Sequence, residues 1–131
     1  MKDIIAVLDT NVLVSALLSP RGNPAKIYRL FLTEKLKVAY CAEIISEYKD
    51  VLSRSRLKIP PDEAAKVIAD IEEHGEQVEP LLSTREMVDE DDRVFYDTAK
   101  SAKAYLIAGN KKHFPDEPFI LTPTEFLERL A

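Results

Sequence analysis

The stretch that most constrains this chain is Ile4-Ile5-Ala6-Val7-Leu8-Asp9-Thr10-Asn11, five apolar residues in succession stopped by a carboxylate. An unbroken apolar run of strand length, rather than an alternating one, suits a parallel strand buried on both faces. Asp9 then falls at the carboxyl end of that strand, the edge where open α/β sheets bind ligands. A charge in such a place is costly unless it is paired or holds a metal. Two uses compete for Asp9: a ligand-binding acid, or the cap of the helix that follows.

The remainder of the chain alternates in the way such a strand demands. Val12 to Leu18 reads as a short helix, ended by the loop signal Ser19-Pro20-Arg21-Gly22-Asn23-Pro24. Ala25 to Glu34 is helical in spacing, and Lys37 to Cys41 reads as a second strand. Ala42 to Arg54 is a helix with Ile44, Ile45, Tyr48, Val51 and Leu52 on one face. Asp62 is placed to cap a helix running to His74, and Val78 falls on a brief edge strand ended by Pro80. After a polar, acidic segment, Arg93 to Lys103 forms the next helix. Ala104 to Ala108 and Pro118 to Leu121 are further strands, and Thr122-Pro123-Thr124-Glu125 opens the last helix. Strands alternating with helices imply a parallel sheet covered on both faces, an α/β fold.

Length and composition bound the function. With 131 residues, 46% apolar and 31% charged, the chain predicts one folded domain rather than a disordered segment. No apolar run approaches the roughly 18 residues of a membrane helix, and Met1-Lys2-Asp3 does not introduce a secretory leader, so a cytoplasmic protein is expected. The three glycines, Gly22, Gly75 and Gly109, are too dispersed for a phosphate loop. Cys41 is alone and expected to be a buried, inert thiol, and the two histidines, His74 and His113, are too far apart to suggest zinc. A net charge of −5 weighs against nucleic acid as partner, although acids gathered in one pocket would produce that sum and leave basic patches elsewhere.

Helical geometry ranks the acids. At about 100° per residue Glu47 lies between Ile44 and Val51, bordering the buried face, while Glu43 and Asp50 point further toward solvent. Glu47 either leans into a pocket or snorkels at the surface. In the run Asp89-Glu90-Asp91-Asp92 one acid suffices to cap the next helix, and four exceed that need. Asp92 borders the apolar side of that helix, and Asp97, toward the polar side, is a second candidate; a solvated acidic turn is the alternative. Asn110, after the fourth strand, either occupies a left-handed turn or points an amide at the site. Asp9, Glu47, Asp92 and Asn110 converge on one sheet edge in this topology. Carboxylates without a neighbouring histidine or cysteine suit Mg²⁺ or Mn²⁺, which activates water in phosphodiester cleavage.

These segments resemble PIN-domain proteins, particularly the group regarded as toxin components of toxin–antitoxin pairs. The matching stretches are Val7 to Ala16, Glu43-Ile44-Ile45-Ser46-Glu47-Tyr48, Asp91-Asp92-Arg93-Val94-Phe95, Tyr105 to Phe114, and Leu121 to Leu127, in that order across essentially the whole chain. The resemblance implies a three-layer α/β/α sandwich with a mainly parallel sheet of four to five strands, and a Mg²⁺- or Mn²⁺-dependent endoribonuclease. It also implies a homodimer and an antitoxin partner. Asp9, Glu47 and Asp92 would be the catalytic, metal-binding acids, with Asn11 supporting Asp9. The fourth acidic position falls on Asn110, and Asp97 is the residue that would compensate. Ala108 and Ala104 also stand where many members carry a hydroxyl residue and an acid.

Basic residues that would meet RNA are Lys111 and Lys112 beside Asn110, with Arg21 and Arg54 in two further patches. Two alternatives remain: a PIN-like module that binds nucleic acid or protein without catalysis, and a phosphatase using Asp9 as nucleophile. The second usually needs another aspartate two residues on, where this chain has Asn11.

Overall fold

The computed structural model describes residues 3–131; Met1 and Lys2, part of the amino-terminal reading above, lie outside them. Strand β1 (Ile5–Leu8) leads into helix α1 (Thr10–Leu18) and then α2 (Asn23–Leu32). Next come β2 (Lys37–Tyr40), α3 (Ala42–Leu52), α4 (Pro61–His74) and β3 (Glu76–Gln77). The chain closes with α5 (Arg93–Ala102), β4 (Tyr105–Ile107), β5 (Ile120–Leu121) and α6 (Pro123–Leu130). Short 3₁₀ turns stand at Ser55–Leu57, Glu90–Asp92 and Lys111–His113.

All strand pairs described are parallel, in the order β3-β2-β1-β4-β5, so the opening apolar run is the central strand. Ala6 pairs with both Val38 and Tyr105, and Leu8 with Ile107. Ala6, Val7 and Leu8 are at most 1% exposed, which explains why the run is unbroken: neither face of β1 meets water. Among the described residues six helices complete a three-layer α/β/α sandwich. Helix α5 packs over β1, β2 and β4, while α1 packs on α2 and α3 on α4. Fully buried Leu13, Ile44, Phe95, Leu106 and Phe126 fill the space between layers. Each such side chain contributes about 1.5–3 kcal/mol. No helix of the described residues is long and apolar enough to cross a membrane.

Local chemistry moves several boundaries. Helix α1 starts at Thr10 rather than Val12, because Asp9 supplies the extended N-cap backbone (φ −60°, ψ 146°). Asp62 is not the cap of α4: Pro61 takes the first helical position, where its missing N–H costs nothing, and Asp62 lies in the first turn. The edge strand is Glu76–Gln77 rather than at Val78, whose N–H still donates to Tyr40 O at 2.8 Å. Cys41 is a free, buried thiol, its Sγ accepting from Thr98 Oγ1 at 3.5 Å. At the last helix the Thr122 hydroxyl accepts from the Glu125 N–H while the Glu125 carboxylate accepts from the Thr122 N–H, a capping box.

Between β3 and α5 the chain runs as an irregular strap tied to one face of α5. Leu81 N–H donates to Ser101 Oγ at 2.9 Å and Ser83 N–H to Asp97 Oδ2 at 3.2 Å. Arg93 donates to the Ser83 and Arg85 carbonyls at 2.9 and 2.7 Å. These three helix residues are four apart, so a single stripe of α5 holds the strap.

Candidate active site

The carboxyl end of β1 opens into a cleft of about 500 Å³. Asp9, Thr10, Asn11, Glu47, Asp91, Asp92 and His113 line it, with Arg54 and Arg56 on one wall. Parallel strands impose this convergence: β1, β2 and β4 all end on one edge, and Asp9 stands between the connections leaving the other two.

Asp9 is only 8% exposed, and its N–H donates to Ile107 O at 3.0 Å, carrying the β1–β4 ladder one residue beyond the strand. It occupies the N-cap position of α1, but its side chain makes no cap hydrogen bond. Two consecutive residues of α3 stitch that helix to the corner around Asp9. Thr10 Oγ1 donates to the Glu47 carboxylate, and the fully buried Tyr48 hydroxyl donates to the Leu8 carbonyl. Glu47 is therefore tied to the site rather than loose in solvent. At the acidic segment Asp89 accepts from the Asp91 N–H at 3.0 Å, so the capping duty falls to Asp89 and the half-buried Asp92 makes no cap bond.

The cleft is electrostatically unbalanced. None of the ion pairs among the described residues involves Asp9, Glu47 or Asp92. Burial, reinforced by the charges of Asp92 and Glu47, pushes Asp9 up from 3.8 to about 6, against the pull of the Thr10 amide and His113. Asp92 is raised first by burial and then by Asp89, with Glu47 and Asp91 adding to it and His113 opposing. Burial and the neighbouring Asp9 and Glu47 charges also hold the Tyr48 phenol well above its usual range. A carboxyl whose folded pKa is raised stabilises the fold most below its ordinary pKa, and that contribution is lost as pH rises through about 6. For Asp9 the loss between pH 5 and 7.5 is about 1 kcal/mol. The urea midpoint of the unliganded protein is accordingly expected to fall by about 0.5 M across that interval. A midpoint that rises over the same interval would show that Asp9 ionises without penalty.

The other candidates are distributed differently. Asn11 lines the cleft and is exposed. Asp97 is 3% exposed, not solvent-facing as the helical wheel suggests, because the strap covers that side of α5. It lines a neighbouring cleft with Glu43, Glu47 and Arg93, and its Oδ1 is buried without a partner. Asn110 is exposed with extended backbone (φ −133°, ψ 102°), not left-handed, and its Oδ1 accepts from the Lys112 N–H at 3.0 Å. That side chain closes the 3₁₀ turn that carries His113. Lys111 turns away to Glu125 at 3.0 Å, and Lys112 lines another depression with Phe114 and Glu117. Arg21 sits at the exposed α1–α2 turn and is not among the residues lining the acid cleft. His113, which the sequence sets aside as too far from His74 for zinc, lines the cleft where its neighbours Lys111 and Lys112 do not.

Three carboxylates at one strand end supply hard oxygen donors. They are not drawn tightly together: among the described residues no group of three or more His, Cys, Asp or Glu is placed to hold a metal ion.

Comparison with known proteins agrees with the fold. An uncharacterized protein of Methanocaldococcus jannaschii is 31% identical over 111 residues, spanning 82% of this chain and 72% of that protein. The crystal structure of VapBC2 from Rickettsia felis bound to a DNA fragment from their promoter contains a chain that superposes with a TM-score of 0.58. At 18% identity, and with 91% of this chain and 97% of the other covered, that likeness establishes shared architecture. The profile of the PIN domain matches residues 5–112, from β1 to the turn beyond β4. With that match spanning the cleft-forming elements, the chain belongs to the PIN-domain family.

Proposed function

We propose that this protein is a metal-dependent endoribonuclease that hydrolyses RNA phosphodiester bonds. The observation that carries the reading is the uncompensated cleft, in which a nearly buried Asp9 is held up to about 6 beside Asp92 and Glu47 with no ion pair to either. PIN domains are generally nucleases.

Asp9, Glu47 and Asp92 would hold Mg²⁺ or Mn²⁺. Mg²⁺ commonly binds through one or two carboxylates and keeps several waters, so acids standing somewhat apart fit such an ion. Bound there, the ion supplies Lewis acidity that acidifies water and neutralises charge on a phosphate. The chain's own residues do the positioning. Thr10 fixes Glu47 through its hydroxyl, Tyr48 fixes the carbonyl preceding Asp9, Asn11 lines the cleft beside it, and Asn110 closes the turn that carries His113. Asp97 belongs to the support of the acidic segment, since it anchors the strap at Ser83.

By its likeness to a chain of VapBC2 we propose this chain as the toxin component of such a pair, with an antitoxin partner; a homodimer in the cytoplasm completes that proposal. The exposed Leu81, Leu82 and Val88 on the strap offer apolar surface to such a protein.

The test is cleavage of single-stranded RNA with Mg²⁺ or Mn²⁺, set against EDTA and against DNA of the same sequence. Cleavage confined to RNA and to the metal-containing reactions is expected; cleavage that persists in EDTA would sink the reading. Asn110 in place of an acid favours a second reading, a binding module without catalysis. Calorimetric titration with Mn²⁺ separates them, because an inert module gives no saturable heat.

A further inference from the structure

The arginine and histidine side chains of the cleft are carried by two 3₁₀ turns and their caps, one in each connection beside β1. Ser55–Leu57 follows α3, which leaves β2, and Lys111–His113 follows β4; these strands flank β1 in the sheet. Both turns are braced. The first is closed by Leu57 N–H to Arg54 O and Lys58 N–H to Ser55 O, each 3.1 Å, and ends at Lys58 with left-handed backbone (φ 55°). The second is closed by Phe114 N–H to Lys111 O at 3.0 Å, and Phe114 is itself 5% exposed, an anchor in the core.

The side chains on these turns differ in how they are occupied. Arg54 is engaged by Asp50 at 3.2 Å. Arg56 lines the cleft, exposed, and no ion pair or hydrogen bond of its guanidinium is found among the described residues. His113 lines it from the other connection, with Nε2 3.4 Å from Asn110 Nδ2. Val14, Val51 and Leu57 add an apolar wall. An acidic floor between two donors suits a polyanion gripped at neighbouring phosphates, with the apolar wall left for an unpaired base.

We infer that Arg56 and His113 form a phosphate clamp, binding the RNA backbone on either side of the phosphate presented to Asp9 and Asp92. The inference rests on the ribonuclease reading. Arg56 contributes charge and a planar set of donors. His113 contributes a ring N–H held by the braced turn. Neither residue supports the core, so both can be changed without loss of the fold.

Binding of a fluorescein-labelled single-stranded RNA is measured by anisotropy from 50 to 300 mM KCl, in the cleavage-deficient Asp9→Asn background. Arg56→Ala is expected to weaken binding about tenfold at low salt and to flatten the plot of log K against log [KCl] by about 0.7, the share of one phosphate on a single strand. His113→Ala is expected to weaken binding with a smaller change of slope. Lys66→Ala, on α4 and paired with Asp70, is the control expected to change neither. In the cleaving protein both clamp variants raise KM and leave kcat within about twofold. Variants indistinguishable from Lys66→Ala would overturn the clamp while leaving RNA cleavage intact. Failure of the unmodified protein to bind or cleave RNA would remove the ribonuclease reading and the clamp together.

Discussion

Asp9→Asn is expected to make the metal-free protein more stable and, at the same time, to abolish its cleavage of RNA. At pH 7.5 the Asp9 carboxylate is ionised although burial, Asp92 and Glu47 have moved its pKa from 3.8 to about 6. That displacement is a penalty of about 3 kcal/mol carried by the folded state. Asp9 is 8% exposed, so solvent does little to screen it. Asparagine keeps the shape and removes the charge, and melting of the metal-free variant should rise by about 8–10 °C. Added Mn²⁺ should stabilise the unmodified protein and leave the variant unmoved, because mass action acts only through a site that still binds. RNA cleavage should fall on the order of 10³-fold, as it does when a preorganised charge is lost from an active site. A variant that melts lower than the parent without metal would mean that Asp9 is held by partners the cleft does not display. A variant that melts higher yet still cleaves would relieve Asp9 of any part in the chemistry.

Gly75→Ala is the second large effect, and it lies in the scaffold. Gly75 ends α4 with φ −81°, an ordinary value for any residue, so backbone freedom is not why glycine stands there. Space is the reason. A Cβ at this position would lie 2.4 Å from the Ile71 carbonyl oxygen and 2.7 Å from that of Val38. Both are backbone atoms, one in the last turn of α4 and one in β2, and neither can swing aside as a side chain can. The added methyl must push α4 away from β2 or break the turn into β3. The expected loss is about 3 kcal/mol, the upper end for overpacking, seen as a melting temperature lowered by about 8–10 °C. A loss below about 0.5 kcal/mol would show that the α4–β2 spacing yields freely.

These two positions also mark where the sequence could be read and where it could not. β1 was legible because burial on both faces leaves an unbroken apolar run, and Asp9 was legible because such a run stopped by an acid is conspicuous. Glu47 could be ranked above Glu43 and Asp50 since one helix face is enough to decide it. Gly75 could not be interpreted, because a close approach depends on Val38, almost forty residues earlier, which no local pattern records. Asp97 was misplaced for a related reason. The wheel of α5 distinguishes the sheet side from the other side, and only the strap, a non-periodic segment, turns that other side into interior. Among the lysines and arginines, periodicity was silent altogether. Whether Lys111 or His113 lines the cleft depends on a single 3₁₀ turn and on Glu125 drawing Lys111 away. The two-residue strand Glu76–Gln77 is wholly exposed, so it has no apolar signature to read.

The order of strands in the sheet has a consequence for how such a protein is made. Asp9 is synthesised before the neighbours it gains at residues 47, 92 and 113, and β1 acquires its second partner strand only at Tyr105–Ile107. The growing chain therefore carries the first acid through about a hundred further residues with the cleft unbuilt. Any arrangement that needs Asp9, Asp92 and His113 together is withheld until His113 has been made.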